Sequence, residues 1–228
     1  MLSNHLARSA HFLITSQAIY SPPRDEGQNV VYSDAFLLVV NKPAGLLAVP
    51  GRGDDKSDCL ITRLQQIFPD VLNVHRLDMS TSGLMVFARS AEMHSKLSQM
   101  FREREVQKRY VALVAGSMEK GVGEIDLPVA ADWPNRPRQQ VDEVAGKPSL
   151  TRYRVLTRSE ETTRVELEPI TGRTHQLRVH MTAIGHPIVG DALYGGRAAE
   201  RLMLHADLLS FVHPVSEVPL TLKCAAPF

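Results

Sequence analysis

The chain has 228 residues, of which 43% are apolar and 22% charged, so the bulk of it is no disordered polymer and one large domain, or one domain with an extension, fits the length. Lys plus Arg number 26 against 25 for Asp plus Glu, a net charge of +1, so any polyanion must be met by a local basic cleft rather than by the molecule as a whole. Two cysteines, Cys59 and Cys224, exclude a disulfide framework and a four-cysteine zinc site, and they suit a reducing cytoplasm.

Residues 1–28 read as an N-terminal extension with no assigned role. Its longest early apolar run, Phe12-Leu13-Ile14, falls short of the roughly 7–15 residues of a secretory signal core. No run approaches the ~18 apolar residues of a membrane span, so no membrane partner is expected. Ser21 to Gly27 is a turn cluster. Residues 29–228 read as one domain. Phe36 to Asn41, ended by Lys42-Pro43, predicts a buried strand. A helix is predicted over 58–68, with Leu60, Ile61, Leu64, Ile67 and Phe68 on one face, Ser57 or Asp58 as cap and Pro69 as stop. A strand over 84–88, a helix over 91–103 and a strand over 110–115 follow. Strands are predicted at about 149–157 and 163–169. A helix over 175–184 carries Leu177, Met181 and Ile184 on one face, with Thr174 as cap. The tail reads as β over 202–209 and 220–223. Many strands with three separated helices predict an α+β fold with a mixed, mainly antiparallel sheet flanked by helices.

Four segments concentrate polar chemistry. Val74 to Gly83 holds His75, Arg76, Asp78 and three hydroxyls just before a buried strand, where a rigid element can hold a site. The same residues equally suit a turn that satisfies its own backbone. Pro169 to His180 places Arg173 at a loop-to-helix junction, where an anion or an ionised aspartate can sit. Arg178 and His180 fall off the apolar face of that helix and read as exposed. Phe101 to Tyr110 nearly alternates Arg102, Arg104, Lys108 and Arg109 with Glu103 and Glu105, a solvated helix end or a phosphate grip. Ala131 to Arg138 combines Trp133 with Arg136, Arg138 and two prolines, which suits either base stacking or a turn around a packed Trp. No zincin pair, deaminase zinc motif, phosphate loop or nucleophile elbow occurs. No metal or organic cofactor is implied, and the remaining candidate nucleophile is a carboxylate.

His75-Arg76-Leu77-Asp78-x-x-Thr81-Ser82-Gly83 resembles the signature of the RluA family of pseudouridine synthases. Asn41 to Leu46, Lys108-Arg109-Tyr110, Gly146-Lys147-Pro148, Thr171 to His180 and Gly185 to Asp191 match the family in order. Phe101 to Glu105 and Asp132 to Pro137 look most like the short members, which lack an S4-type RNA-binding domain and act on both ribosomal and transfer RNA. The resemblance implies isomerisation of uridine in a 23S ribosomal RNA hairpin, a transfer RNA anticodon stem-loop, or both. It assigns Asp78 as the catalytic aspartate, Tyr110 as the active-site tyrosine and Arg173 as the basic partner of Asp78. Arg76 matches the arginine that fills the space of a flipped base. An RNA-binding cleft is expected around Arg76, Arg102, Arg104, Trp133, Arg136 and Arg138. A cytoplasmic monomer is the corresponding expectation. The aspartate can attack C1′ or stabilise charge developing there, and the residues do not choose between a covalent and a glycal route.

Overall fold

The computed structural model describes residues 20–27 and 29–228, so most of the expected extension lies outside the described residues. In chain order the elements are β1 (Val30–Ser33), β2 (Leu37–Lys42), α1 (Leu60–Gln65), β3 (Leu72–Asn73), β4 (Ser82–Ala88), α2 (Ala91–Glu103), β5 (Gln107–Ala115) and β6 (Val122–Asp126). There follow β7 (Val129–Ala131), β8 (Gln139–Val141), β9 (Leu150–Arg158), β10 (Thr162–Pro169), α3 (Gln176–Ala183), β11 (Leu204–Val212) and β12 (Pro219–Lys223). The main sheet runs β1-β2-β4-β11-β5-β10-β9-β6, with β3 also on β4 and β12 also on β11. β7 and β8 form a separate hairpin. The fold is the expected α+β arrangement with a mixed, mainly antiparallel sheet.

The two halves of the sheet are covered differently, and their sequences differ accordingly. Around β2 and β4 both faces are covered. Leu38, Val40, Met85 and Phe87 pack towards α1, while Leu37, Val39, Leu84 and Val86 pack towards α2. A strand buried on both faces reads as a continuous apolar run. In the other half β10 alternates buried and partly exposed residues, because only the face carrying Val165 and Leu167 packs against Leu177 and Met181 of α3.

β11 joins the halves, antiparallel to β5 and parallel to β4 through His205↔Ser82 and Ala206↔Gly83. The chains meet closely here: a Cβ on Gly83, whose φ is 118°, would lie 2.3 Å from the Ala206 carbonyl oxygen. The loop carrying Asp78 ends at this seam.

Three local expectations need correction. The first helix is shorter than predicted, and neither Ser57 nor Asp58 caps it. Asp58 instead holds the Arg63 guanidinium (Nε–Oδ1 2.7 Å), and Cys59 occupies the cap with Thr62 returning a hydrogen bond to its N–H. Thr174 does not cap α3. Gln176 Oε1 accepts from the Arg173 N–H at 3.0 Å, and His175 takes the cap position in the left-handed region. Arg178 and His180 are not exposed but 4% and 0% accessible. The β7–β8 hairpin lies over the polar side of α3, with Val129, Val179 and Tyr194 packed together, so the helix is buried nearly all round. Tyr20 and Pro23 also reach the body, Pro23 through its carbonyl, which accepts from Arg63 Nη2 at 2.8 Å. The Tyr20 hydroxyl donates to Asp58 O (2.9 Å) and accepts from the Leu47 N–H (3.0 Å).

Candidate active site

The loop between β3 and β4 is shaped by two inward anchors. His75 stacks on Phe101 with ring centroids 4.4 Å apart, and its Nε2 accepts the Val86 N–H at 3.0 Å. Burial brings its pKa down to about 3, so it is a neutral acceptor. Leu77 inserts into the core beside α1. With His75 and Leu77 held inward, Arg76 and Asp78 border a cavity at the seam of the sheet. A turn bond from the Thr81 N–H to Asp78 O (3.1 Å) closes the loop. Lys42, fully buried, donates from Nζ to the carbonyls of Pro43, Leu46 and Met79 at 2.9, 2.6 and 3.0 Å. It thereby ties the loop after β2 to the loop of Asp78. Burial brings its pKa down to about 7, against the opposing pull of the Asp78 charge.

The ionic partner of Asp78 is Arg178, whose Nη1 lies 3.3 Å from Asp78 Oδ2. Arg178 is itself fixed by a two-pronged bond to Asp191, with Nε–Oδ2 and Nη2–Oδ1 both 2.8 Å. Asp191 is buried and also takes the N–H groups of Leu193 and Tyr194. Burial opposes the Arg178 charge, but the two carboxylates more than restore it and hold its pKa above the ordinary value. The expected pairing of Asp78 with Arg173 is therefore corrected. Arg173 is exposed, and its guanidinium reaches the Pro148 carbonyl at 3.4 Å. One turn of helix separates the junction arginine from the one that faces Asp78, and only the packing of α3 distinguishes them.

The cavity measures about 540 Å³, within the range of a site for a nucleotide-sized ligand. Tyr110 on β5 forms one wall. Burial, with the Asp78 charge adding to it, pushes its hydroxyl well above the ordinary range, so it remains a protonated phenol. Arg76, Arg102, Arg104, Lys108 and Arg173 line the same cavity, and Asp78 is the only acid among the lining residues. Such a cavity draws in a polyanion and presents one carboxylate to it. The sequence reads Lys108 as part of the basic 101–110 segment but does not place it in the expected cleft. Burial first, then Arg104, lowers its pKa. Its place in alternation with Tyr110 on one strand was the available signal.

Trp133, Arg136 and Arg138 do not line the cavity. They project from the β7–β8 hairpin, where Trp133 to Asn135 make one 3₁₀ turn. Trp133 is 68% exposed, with the Arg136 guanidinium 4.7 Å above its ring, so it is no packed core residue. The hairpin stacks on the same α3 that carries Arg178. Among the described residues no group of three or more His, Cys, Asp or Glu could hold a metal ion, and no helix is long and apolar enough to cross a membrane.

Comparison with known proteins gives the family model and the relatives that this chain resembles. The family model described as RNA pseudouridylate synthase matches residues 36–183. The dual-specificity RNA pseudouridine synthase RluA of Vibrio cholerae is 52% identical over 213 residues, covering 92% of this chain and 87% of its own. That of Escherichia coli K12 is 47% identical over 214 residues, covering 92% and 98%. Among solved structures, human RNA pseudouridylate synthase domain containing 1 superposes with a TM-score of 0.76 at 32% identity, covering 91% of this chain and 87% of that one. Human RNA pseudouridylate synthase domain containing 4 gives 0.71 at 26% identity, covering 87% and 88%.

Proposed function

We propose a mechanism and a substrate class on one premise: the chain belongs to the RNA pseudouridylate synthase family and isomerises uridine to pseudouridine in RNA. The reacting group in this reading is Asp78. The observation that carries it is a single carboxylate, held by Arg178, in a cavity whose lining also holds Tyr110 and the cations Arg76, Arg102, Arg104, Lys108 and Arg173.

The reaction breaks C1′–N1, turns the uracil, forms C1′–C5, and moves one hydrogen off C5 while N1 gains one. An ionised Asp78 meets the positive charge that develops at C1′, by attack or by electrostatic stabilisation. Tyr110 stacks on the detached base and confines it. The uridine must leave its helical stack, at a cost of a few kcal/mol that is least in a loop. Arg76, exposed at the mouth, fills the gap, and Arg102, Arg104 and Arg173 meet the phosphates. The Trp133 hairpin, with Arg136 and Arg138, reads the loop beyond the cavity. No cofactor is needed.

The finer substrate reading is a 23S ribosomal RNA hairpin together with a transfer RNA anticodon stem-loop. Both relatives named above are dual-specificity synthases, and a reader this compact contacts little more than one hairpin. The enzyme acts as a monomer in the cytoplasm, where its RNA is. Residues 29–228 form its catalytic unit.

The test is Asp78→Asn, assayed with a stem-loop of about 17–20 nucleotides, the size of a single hairpin. Isomerisation should be abolished while RNA binding stays within about tenfold, or ~1.4 kcal/mol. Appreciable turnover would refute the assignment. Release of free uracil by the wild type would point instead to a glycosidase that hydrolyses the same bond.

A further inference from the structure

His175 and Tyr194 lie beside the cavity floor and have no part in the chemistry above. Tyr194 is buried, and its hydroxyl accepts the Gln139 N–H at 2.8 Å. The same oxygen is 2.7 Å from His175 Nδ1. The hydroxyl has its own proton to give and a second lone pair, so Nδ1 can be its acceptor or its donor. Where the hydroxyl donates to Nδ1, the imidazole proton is left on Nε2. That Nε2 stands 3.7 Å from Asp78 Oδ2, the oxygen that Arg178 also approaches. His175 sits in the left-handed region, φ 54°, at the cap of α3, and its side chain lines the cavity.

The charged groups around the ring come from every side. Asp78 and Arg76 belong to the β3–β4 loop, Arg178 to α3 and Asp191 to the segment after it. Burial is the largest influence and keeps the His175 pKa below the ordinary value, consistent with a neutral ring that donates from Nε2 alone. The Tyr194 ring in turn meets two guanidinium groups, with the Arg178 and Arg138 Cζ atoms 5.1 and 5.6 Å from its centroid. Gln139 opens β8, directly after Arg138, so the hydrogen-bonded chain begins in the hairpin that carries Trp133.

We propose that His175 and Tyr194 are positioning residues, His175 giving its Nε2 proton to Asp78 as a hydrogen bond when RNA closes the cavity, and Tyr194 holding that tautomer and linking the seated hairpin to the carboxylate. Bonds of this kind stand long in the free enzyme and tighten in the substrate complex. The proposal rests on Asp78 being the reacting carboxylate.

The experiment uses the full chain and one stem-loop, with kcat and KM measured for each variant. His175→Asn keeps a residue that tolerates the left-handed backbone and an amide facing Tyr194, but cannot reach Asp78. His175→Gln returns an amide nitrogen to the position of Nε2. Tyr194→Phe keeps the ring that meets the two arginines. His175→Asn and Tyr194→Phe should lower kcat about tenfold, the worth of one hydrogen bond to a charged group, with KM changed less than about threefold. His175→Gln should restore most of the loss. Trp133→Ala combined with Tyr194→Phe should cost less in kcat than the sum of the two, as expected for one linked unit. Equal activity of the Asn and Gln variants overturns the donor role, an unaffected Tyr194→Phe overturns the tautomer, and strict additivity overturns the link to the hairpin. Turnover by Asp78→Asn would defeat the carboxylate assignment and this proposal together. An inert Asp78→Asn beside fully active His175→Asn and Tyr194→Phe would defeat this proposal alone.

Discussion

Replacing Arg178 by Lys should damage the enzyme far more than replacing Arg173 by Ala. Arg178 uses all three guanidinium nitrogens at once, two on Asp191 and one on Asp78. A lysine ammonium is a single point of charge and cannot span both carboxylates in this fork. Each charge-assisted bond is worth about 1.5–3 kcal/mol, and Lys forfeits at least one. A loss of about 2–3 kcal/mol in stability is therefore expected, short of the ~3–5 kcal/mol for leaving Asp191 buried without any partner. If the bond to Asp78 is the one lost, a similar energy at the transition state lowers kcat about a hundredfold. Arg173→Ala removes an exposed side chain whose one protein contact is the 3.4 Å bond to Pro148. Its stability cost should stay within about 0.5 kcal/mol, and its effect should fall on KM through phosphate binding. The assay is release of tritium from 5-tritiated uridine in a stem-loop, since C5 gives up its hydrogen when it bonds to C1′, with chemical denaturation in parallel. A fall in kcat for Arg173→Ala as deep as for Arg178→Lys would refute the reasoning and restore Arg173 as the partner of Asp78.

Tyr110→Phe should lower kcat and spare KM, because the ring that faces the base is kept; a Tyr110→Leu variant with wild-type kinetics would show that neither ring nor hydroxyl matters. Arg136→Ala with Arg138→Ala should raise KM more than it lowers kcat and flatten the salt dependence of binding, as loss of phosphate contacts requires. Steady-state kinetics at two salt concentrations decide this, and an unchanged salt slope would exclude the hairpin from RNA contact. Folding stability should fall in acid. His75 and His205 have pKa values near 3 and 4 in the fold against 6.5 for the free residue. Below about pH 6.5 the unfolded chain therefore binds more protons, and at pH 5 each buried histidine costs about 2 kcal/mol. A melting temperature unchanged from pH 7 to pH 5 would contradict their neutral burial. EDTA should leave activity intact; inhibition reversed by one metal would overturn the metal-free mechanism.

Much of this protein was legible from the amino-acid sequence, because local signals and ordered motifs act over short spans. The second helix, 91–103, appears at its predicted bounds, since Ser90 caps it and Met93 and Leu97 anchor one face. The β4 run was readable because burial on both faces leaves no polar position to confuse the period. Asp78, Tyr110 and the basic residues at the cavity mouth were all picked out before any geometry was known, and they meet in one cavity. The partner of Asp78 was not. Arg178 lies 100 residues away along the chain, and the helical period assigns it to a solvated face. It is buried because the β7–β8 hairpin, itself unrecognised from its short strands, lies over that face. The same covering layer packs on Tyr194, whose hydroxyl reaches His175. Periodicity records which side of an element meets its first neighbour. Which side meets a second layer, and which charges become partners there, depends on contacts between distant segments that only the folded chain brings together.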